Sequence, residues 1–337
     1  MSDFPARIDV AIVGGGFAGC ATAWALARRG VSAIVLEREH TLGRYASGRG
    51  AGLGRQLAED DDTTALTIRG AELLRSELSS AWTPTGGVLG FDDAARAEAY
   101  VARAATAGVG AQLLDRAAVL ADWPALEGIS LTTGLFVPTD GVIDTKALLA
   151  LYAASTRVEL ACPVSRIEPG GAGALVTTPR GVVEATIVVD ATGAWAGTLT
   201  NDLPLDVFKR HLYVLEVMSG PRAPFLWHLG REEMYVRPDG DGVLVSVCDA
   251  SRDVASDALA DPVGETVMRT LVGRAAPEWD IAPIKRAWAC QRTFTPDRSM
   301  RLKRDVERPW LAWAVGLGGH GATASAAIGE TVAAAIT

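Results

Sequence analysis

The hydrophobic pattern is clearest at the start of the chain. Residues 8–13 (IDVAIV) are a short apolar run that stops at three glycines. An unbroken run of this kind, bounded by glycine, predicts a strand buried on both faces. Residues 18–29 carry apolar side chains at helical spacing, and Gly30 follows as a stop. Residues 31–36 (VSAIVL) form a second buried strand, closed by Glu37. A β-α-β unit of about thirty residues implies parallel strands joined by a right-handed crossover. Farther on, residues 187–190 and 310–315 read as two more buried strands. Between them, residues 234–237 and 242–247 flank Pro238, Asp239, Gly240 and Asp241, which is a hairpin signal and so predicts antiparallel sheet. Residues 63–80 and 145–155 read as helices. The pattern predicts an α/β fold, a doubly wound domain with an inserted antiparallel β-sheet domain.

Composition narrows the class. The chain has 337 residues, which is about two domains' worth. Its 49% hydrophobic and 21% charged residues exclude a disordered or fibrous protein. The formal net charge of −8 gives no general attraction for phosphate backbones, so nucleic acid is not an expected partner. Four cysteines at 20, 162, 248 and 290 show no metal-ligand or disulfide spacing, and no metal is expected. Residues 10–27 lack the basic start of a signal peptide and are broken by glycines. Residues 310–329 are free of Asp, Glu, Lys and Arg, but Gly316, Gly318, Gly319 and Gly321 interrupt them. A strand, a glycine turn and a small-residue helix fit that stretch better than a membrane span. The expectation is a soluble cytoplasmic protein without membrane insertion.

The chemistry begins with Gly14, Gly15, Gly16, Phe17, Ala18 and Gly19, which satisfy G-x-G-x-x-G. The motif follows a strand, opens a helix and precedes a second strand ending in an acid. That is the context of a Rossmann-type dinucleotide fingerprint. Gly14 permits a tight turn, Gly16 lets a pyrophosphate approach, and Gly19 lets helix and strand pack closely. The helix N-terminus offers N–H groups and positive dipole to phosphate. Glu37 can accept hydrogen bonds from ribose hydroxyls, and its charge would repel a 2′-phosphate. The fingerprint does not by itself separate FAD from NAD.

The small-residue loop 43–52 (GRYASGRGAG), the segments 139–144 (TDGVID) and 190–195 (DATGAW), the run 288–297 (WACQRTFTPD) and the loop 316–323 (GLGGHGAT) occur in one order. Together they resemble the FAD-dependent D-amino acid oxidase superfamily, which includes glycine and sarcosine oxidases. The resemblance covers nearly the whole chain, and the last two segments are its most specific part. It implies FAD as cofactor, extended over a Rossmann-type FAD-binding domain made of residues 1–80, 140–205 and 290–337. Residues 81–139 and 206–289 would form the substrate domain. By resemblance, Gly14 to Gly19 hold the pyrophosphate, and Glu37 with its neighbour Arg38 holds the adenosine end. Ala46, Ser47, Ala51, Gly52 and Leu53 follow the cofactor toward the flavin ring. Val164 matches the adenine-contacting backbone, and Thr192 and Gly193 meet the ribityl chain. Gly318, Gly319, His320, Gly321, Ala322 and Thr323 face the flavin, where a helix N-terminus stabilises its anionic reduced form.

The resemblance also implies a substrate site. Arg292 would hold a substrate carboxylate bidentately, Tyr235 would face the substrate, and His320 would contact substrate or flavin. Arg55, Tyr213 and Arg237 are weaker candidates. The run Lys209, Arg210, His211 reads as a solvated strand edge, and the nine tryptophans read as core. Cys290 stands where sarcosine oxidases attach flavin through a thioether, or is simply a small buried residue. Leu244 stands where sarcosine oxidases place a lysine for oxygen reduction. The expected activity is oxidation of a small-molecule amine or amino acid, with electrons passed to O2 or another acceptor. A flavin-dependent 2-hydroxy acid dehydrogenase, or a flavin-binding subunit of a hetero-oligomeric amine dehydrogenase, are the alternatives.

Overall fold

The parallel core follows directly from the apolar runs. Strand Arg7–Val13 pairs in parallel with Ala33–Leu36 on one side and with Gly181–Asp190 on the other. Ala33–Leu36 pairs with Arg157–Glu159, and Gly181–Asp190 pairs with Leu311–Val315, again in parallel. Antiparallel strands at 166–170, 173–178 and 301–304 complete an eight-stranded sheet. The computed structural model describes residues 4–200, 203–217 and 223–337. The expected domain ranges also take in residues 1–3, 201–202 and 218–222, which lie outside the described residues.

Three helices on one face of this sheet set the position of the site. Phe17–Ala27 and Gly321–Ile336 touch where a Cβ on Gly329 would lie 2.2 Å from the Ala21 carbonyl oxygen. Asp61–Arg75 approaches the same C-terminal helix at Gly70, whose Cβ would lie 2.0 Å from the Thr323 carbonyl oxygen. Small residues therefore let the backbones close up, and both fingerprint and C-terminal helices start at one edge of the sheet. The predicted helix 63–80 is Asp61–Arg75 followed by a short 3₁₀ turn at Ser79–Ala81. Asp60 fixes its start by accepting from Thr63 N at 2.7 Å. The strand Arg157–Glu159 ends before Val164, and Ala161 takes a positive φ of 49° just beyond it.

A second sheet has nine strands, drawn from residues 87–137 and 206–294. Its hairpin at 234–246 is as expected. One junction differs from a purely antiparallel sheet, since Phe225–His228 pairs in parallel with Gly87–Phe91. These strands come from two separate chain segments, so no tight turn forces them to run oppositely. The Lys209–His211 run is not a solvated edge. Its strand, Asp206–Leu215, is flanked by Ile284–Phe294, Gly242–Ser246 and Ser251–Asp253. Arg210 is 6% and His211 3% exposed. A small three-stranded sheet (53–54, 82–83, 141–143) lies between the two larger ones in sequence. Among the described residues, no helix is long and apolar enough to cross a membrane.

Candidate active site

The fingerprint glycines each answer a different steric demand. Gly14 has φ 109°, and a Cβ there would lie 2.5 Å from the Ala191 carbonyl oxygen. A Cβ on Gly19 would lie 2.0 Å from the Gly14 carbonyl oxygen, so only glycine lets the helix cross this close to the strand. Gly16 is different. Its Cβ would meet Ser47 Oγ at 3.0 Å and nothing else within 4 Å, because that side opens into a cleft. The space is of the kind a pyrophosphate fills. Gly193, with φ 62°, likewise has nothing within 4 Å of its Cβ position.

Of the predicted cofactor residues, all but Gly19, His320 and Thr323 line this one cleft. Glu37, expected at the adenosine end, lines its wall. Its Oε2 accepts from Gly15 N at 2.6 Å and its Oε1 from Glu39 N at 2.9 Å. A carboxylate has about four acceptor positions, so two remain for ribose hydroxyls. The helix terminus is partly used, since Phe17 N donates to Ser47 Oγ at 2.9 Å. Ser47 keeps its own hydroxyl proton to donate. Arg38 stacks over Trp195 at 3.9 Å and over Tyr45 at 5.1 Å. Neither aromatic was singled out by the sequence, because only the tertiary fold sets them on one side of the cleft.

The C-terminal loop is fixed to the second sheet. Gly318 N donates to Thr293 O at 3.0 Å, and Gly316, Gly318 and Gly319 take φ of 76°, 58° and 95°. The helix Gly321–Ile336 then begins at the cleft wall. Thr323 serves packing, its hydroxyl donating to Leu53 O at 3.1 Å. His320 turns away from the cleft, with Nε2 3.0 Å from Glu59 Oε2. Burial lowers the His320 pKa against the opposing pull of that contact. Among the described residues it has no hydrogen bond to Arg292 or Tyr235, although the Arg292 charge also acts to lower its pKa.

Arg292 and Tyr235 do share the cleft with Cys290. Among the described residues, the half-buried Arg292 guanidinium has no hydrogen bond or ion pair. It lies over the Trp227 ring, 5.9 Å from its centroid. Trp227 also lines the cleft, and nothing in the chain's pattern distinguishes it from eight other tryptophans. Its ring is 5.1 Å from Tyr235, its Nε1 donates to Glu233 Oε1 at 2.8 Å, and Arg55 stacks on it at 4.1 Å.

The remaining cations here are engaged. Arg55 pairs with Glu59 at 2.7 Å, and Arg237 with Asp239 at 2.9 Å. Arg237 Nε also donates to Ala51 O at 2.7 Å, which ties the second sheet to the loop before Gly52. Arg210 donates to the carbonyls of Cys248 at 2.9 Å and Asp249 at 3.2 Å. Tyr213 and His211 face away from Arg210 along their strand, toward the helix Pro262–Ala275, and Gly264 lies against the His211 ring. Burial pushes the Tyr235 hydroxyl up to about 12. Burial also raises the Cys290 thiol, although Arg292 and Arg210 pull the other way. A protonated thiol is the less reactive form. Leu244 is buried in the apolar cluster beneath Tyr235.

The fold and site define an FAD-dependent oxidoreductase. The family model described as "FAD dependent oxidoreductase" matches residues 9–335, so the chain belongs to that family and FAD is its cofactor. Among curated proteins it is 27% identical over 331 residues to human mitochondrial sarcosine dehydrogenase, covering 87% of this chain and 36% of that protein. It is 28% identical over 311 residues to the bifunctional protein ThiO/ThiG of Trichormus variabilis, covering 86% of this chain and 46% of that one. The chain thus spans less than half the length of these relatives. Among solved structures, glycine oxidase from Geobacillus kaustophilus superposes with TM-score 0.85 at 22% identity, covering 98% of this chain and 94% of that one. L-Proline dehydrogenase from P. horikoshii superposes with TM-score 0.90 at 22% identity, covering 99% and 94%.

Proposed function

We propose that this chain oxidises a small amine or amino acid bearing a carboxylate. The observation that carries the reading is Arg292, a half-buried guanidinium facing the cleft with no ion pair among the described residues. A partly desolvated cation without a partner is costly unless a ligand anion completes it. Arg55 and Arg237 already have carboxylates, and Arg210 is spent on backbone carbonyls. Arg292 is therefore the group left to take a substrate carboxylate, in a bidentate fork.

The same site favours an amine over a 2-hydroxy acid. Removing a hydride from an alcohol requires a base for its O–H proton, whereas a neutral amine needs none. The cleft's only carboxylate among the described residues is Glu37, at the adenosine end, and no His or Lys lines it. Tyr235, held near 12, is no base at neutral pH. The charge of Arg292 lowers the pKa of a bound ammonium and so favours the reactive free amine. Tyr235 and Trp227 supply the wall that excludes water. Bound FAD supplies the hydride acceptor. Sarcosine and glycine in the names of the relatives fit a substrate of this size.

In this reading the eight-stranded sheet and its helices hold the cofactor, and the nine-stranded sheet supplies the substrate wall. The test is anaerobic mixing of the purified yellow protein with a panel of N-methyl amino acids, amino acids and 2-hydroxy acids. Bleaching of the flavin band by an amine supports the reading, and bleaching by 2-hydroxy acids alone overturns it. Peroxide release in air then separates oxidase from dehydrogenase.

A further inference from the structure

We infer that Gly319 and Trp227 are positioning residues for Arg292, forming a slot that orients its guanidinium without an ion pair. The inference rests on the carboxylate reading of Arg292. A Cβ built on Gly319 would lie 2.8 Å from Arg292 Nε, 2.9 Å from Cζ and 3.0 Å from Cδ. The Arg292 head therefore runs directly against the bare backbone of the C-terminal loop. The Trp227 indole borders the same head, its ring centroid 5.9 Å from the guanidinium carbon. Trp227 is itself held by Glu233 and covered by Arg55, so this wall does not yield easily.

The chemistry gives the slot a purpose. A long, flexible arginine must be held in one geometry before it can grip a carboxylate at both oxygens. An orienting acid would do this, but substrate would then have to displace it. Walls of glycine backbone and indole hold the head by contact and leave its N–H donors unspent. Gly319 was expected to serve the flavin; its missing side chain also leaves room for Arg292. The loop is anchored to the arginine's own strand through Gly318 N and Thr293 O, at 3.0 Å, so slot and arginine move together.

The positive φ of Gly319 alone would explain a glycine, so the experiment must isolate the contact. Acetate serves as the probe, with its affinity for the holoenzyme read from the flavin absorbance. Gly319→Ala is expected to weaken acetate about tenfold or more while FAD stays at one per chain, because the head is displaced. In an Arg292→Ala background, which lacks the Cδ, Nε and Cζ that the new methyl would meet, the Gly319→Ala penalty should disappear. Unchanged acetate affinity in Gly319→Ala, or a full penalty persisting beside Arg292→Ala, overturns the slot. If Gly319→Ala does not hold FAD, Trp227→Leu is taken through the same cycle and decides by the same criteria. If Arg292→Ala leaves acetate affinity unchanged, the carboxylate reading itself fails, separately from the slot.

Discussion

The two sides of the cleft are built by opposite means. On the nucleotide side, selectivity comes from what is missing: glycines at 14, 16 and 19 let backbone meet backbone or leave room for phosphate. The residues concerned are close in sequence, and one β-α-β unit presents them. On the side proposed to take substrate, the wall is made of large side chains carried by separate strands of one sheet. Arg292, Tyr235 and Trp227 meet only because strands 284–294, 225–228 and 234–239 belong to that sheet. The first kind of site is a local property of the chain. The second exists only after long-range pairing has set register.

The largest effect should come from filling the nucleotide side. Gly16→Val is expected to yield a folded protein without FAD, because the side chain occupies the phosphate's approach and its Cβ meets only Ser47 Oγ, at 3.0 Å. Loss of the visible flavin spectrum with unchanged circular dichroism would confirm it; retained flavin would break the comparison. On the substrate side, Arg292→Ala should keep FAD and lower kcat/KM by roughly 30- to 1000-fold, the equivalent of about 2–4 kcal/mol. Arg292→Lys should recover little, as a point charge lacks the fork. Steady-state kinetics with a carboxylate substrate measure both.

A group between the two sides gives a smaller effect, on stability. Asp140 is fully buried, accepts from Gln56 N at 3.1 Å and Gln56 Nε2 at 2.9 Å, and has its other oxygen without a partner. Burial raises its pKa to about 7. A raised carboxyl pKa means the fold prefers the protonated acid. Its stabilising contribution is complete below the unfolded value near 4 and is lost as pH rises through about 7. Thermal unfolding should show Tm falling across that window. Asp140→Asn should flatten the fall and gain about 2 kcal/mol at pH 8, since an amide keeps the acceptor oxygen without the charge. A wild-type-like slope would place the titration elsewhere.

The smallest expected effect is at Cys290. It borders the cleft, but burial holds its thiol protonated, against the thiolate that a thioether requires. Acid denaturation should release FAD into the supernatant, and Cys290→Ser should leave FAD content and kinetics within about twofold. Flavin retained on the denatured chain would show that Arg292 and Arg210 activate the thiol after all.

Much of this was readable beforehand, and the exceptions have common causes. The strand at 8–13, the fingerprint helix and the acid at 37 followed from periodicity, since each depends on neighbours a few residues away. Arg292 and Tyr235 came from resemblance, not pattern. His211 was misjudged because a Lys-Arg-His run looks solvated until a third strand and a helix cover it. His320 sits in the right loop, but its rotamer is chosen by Glu59, far off in sequence at the start of another helix. Trp227 carried no signal at all, since one tryptophan among nine is indistinguishable before register is known.

The parallel core, the glycine geometry of the fingerprint and the place of Glu37 at the end of the second strand follow from the chain's local order. These are set by φ, by apolar periodicity and by the length of one crossover, all local quantities. The tertiary structure decided which cations remain available to a ligand. Arg55, Arg210, Arg237 and Arg292 are equivalent letters in the chain, and each carries the same charge. Only packing gives Glu59 to the first, carbonyls to the second and Asp239 to the third, and leaves the fourth beside a glycine and an indole without an ion pair among the described residues, because partners for a buried charge come from segments distant in sequence.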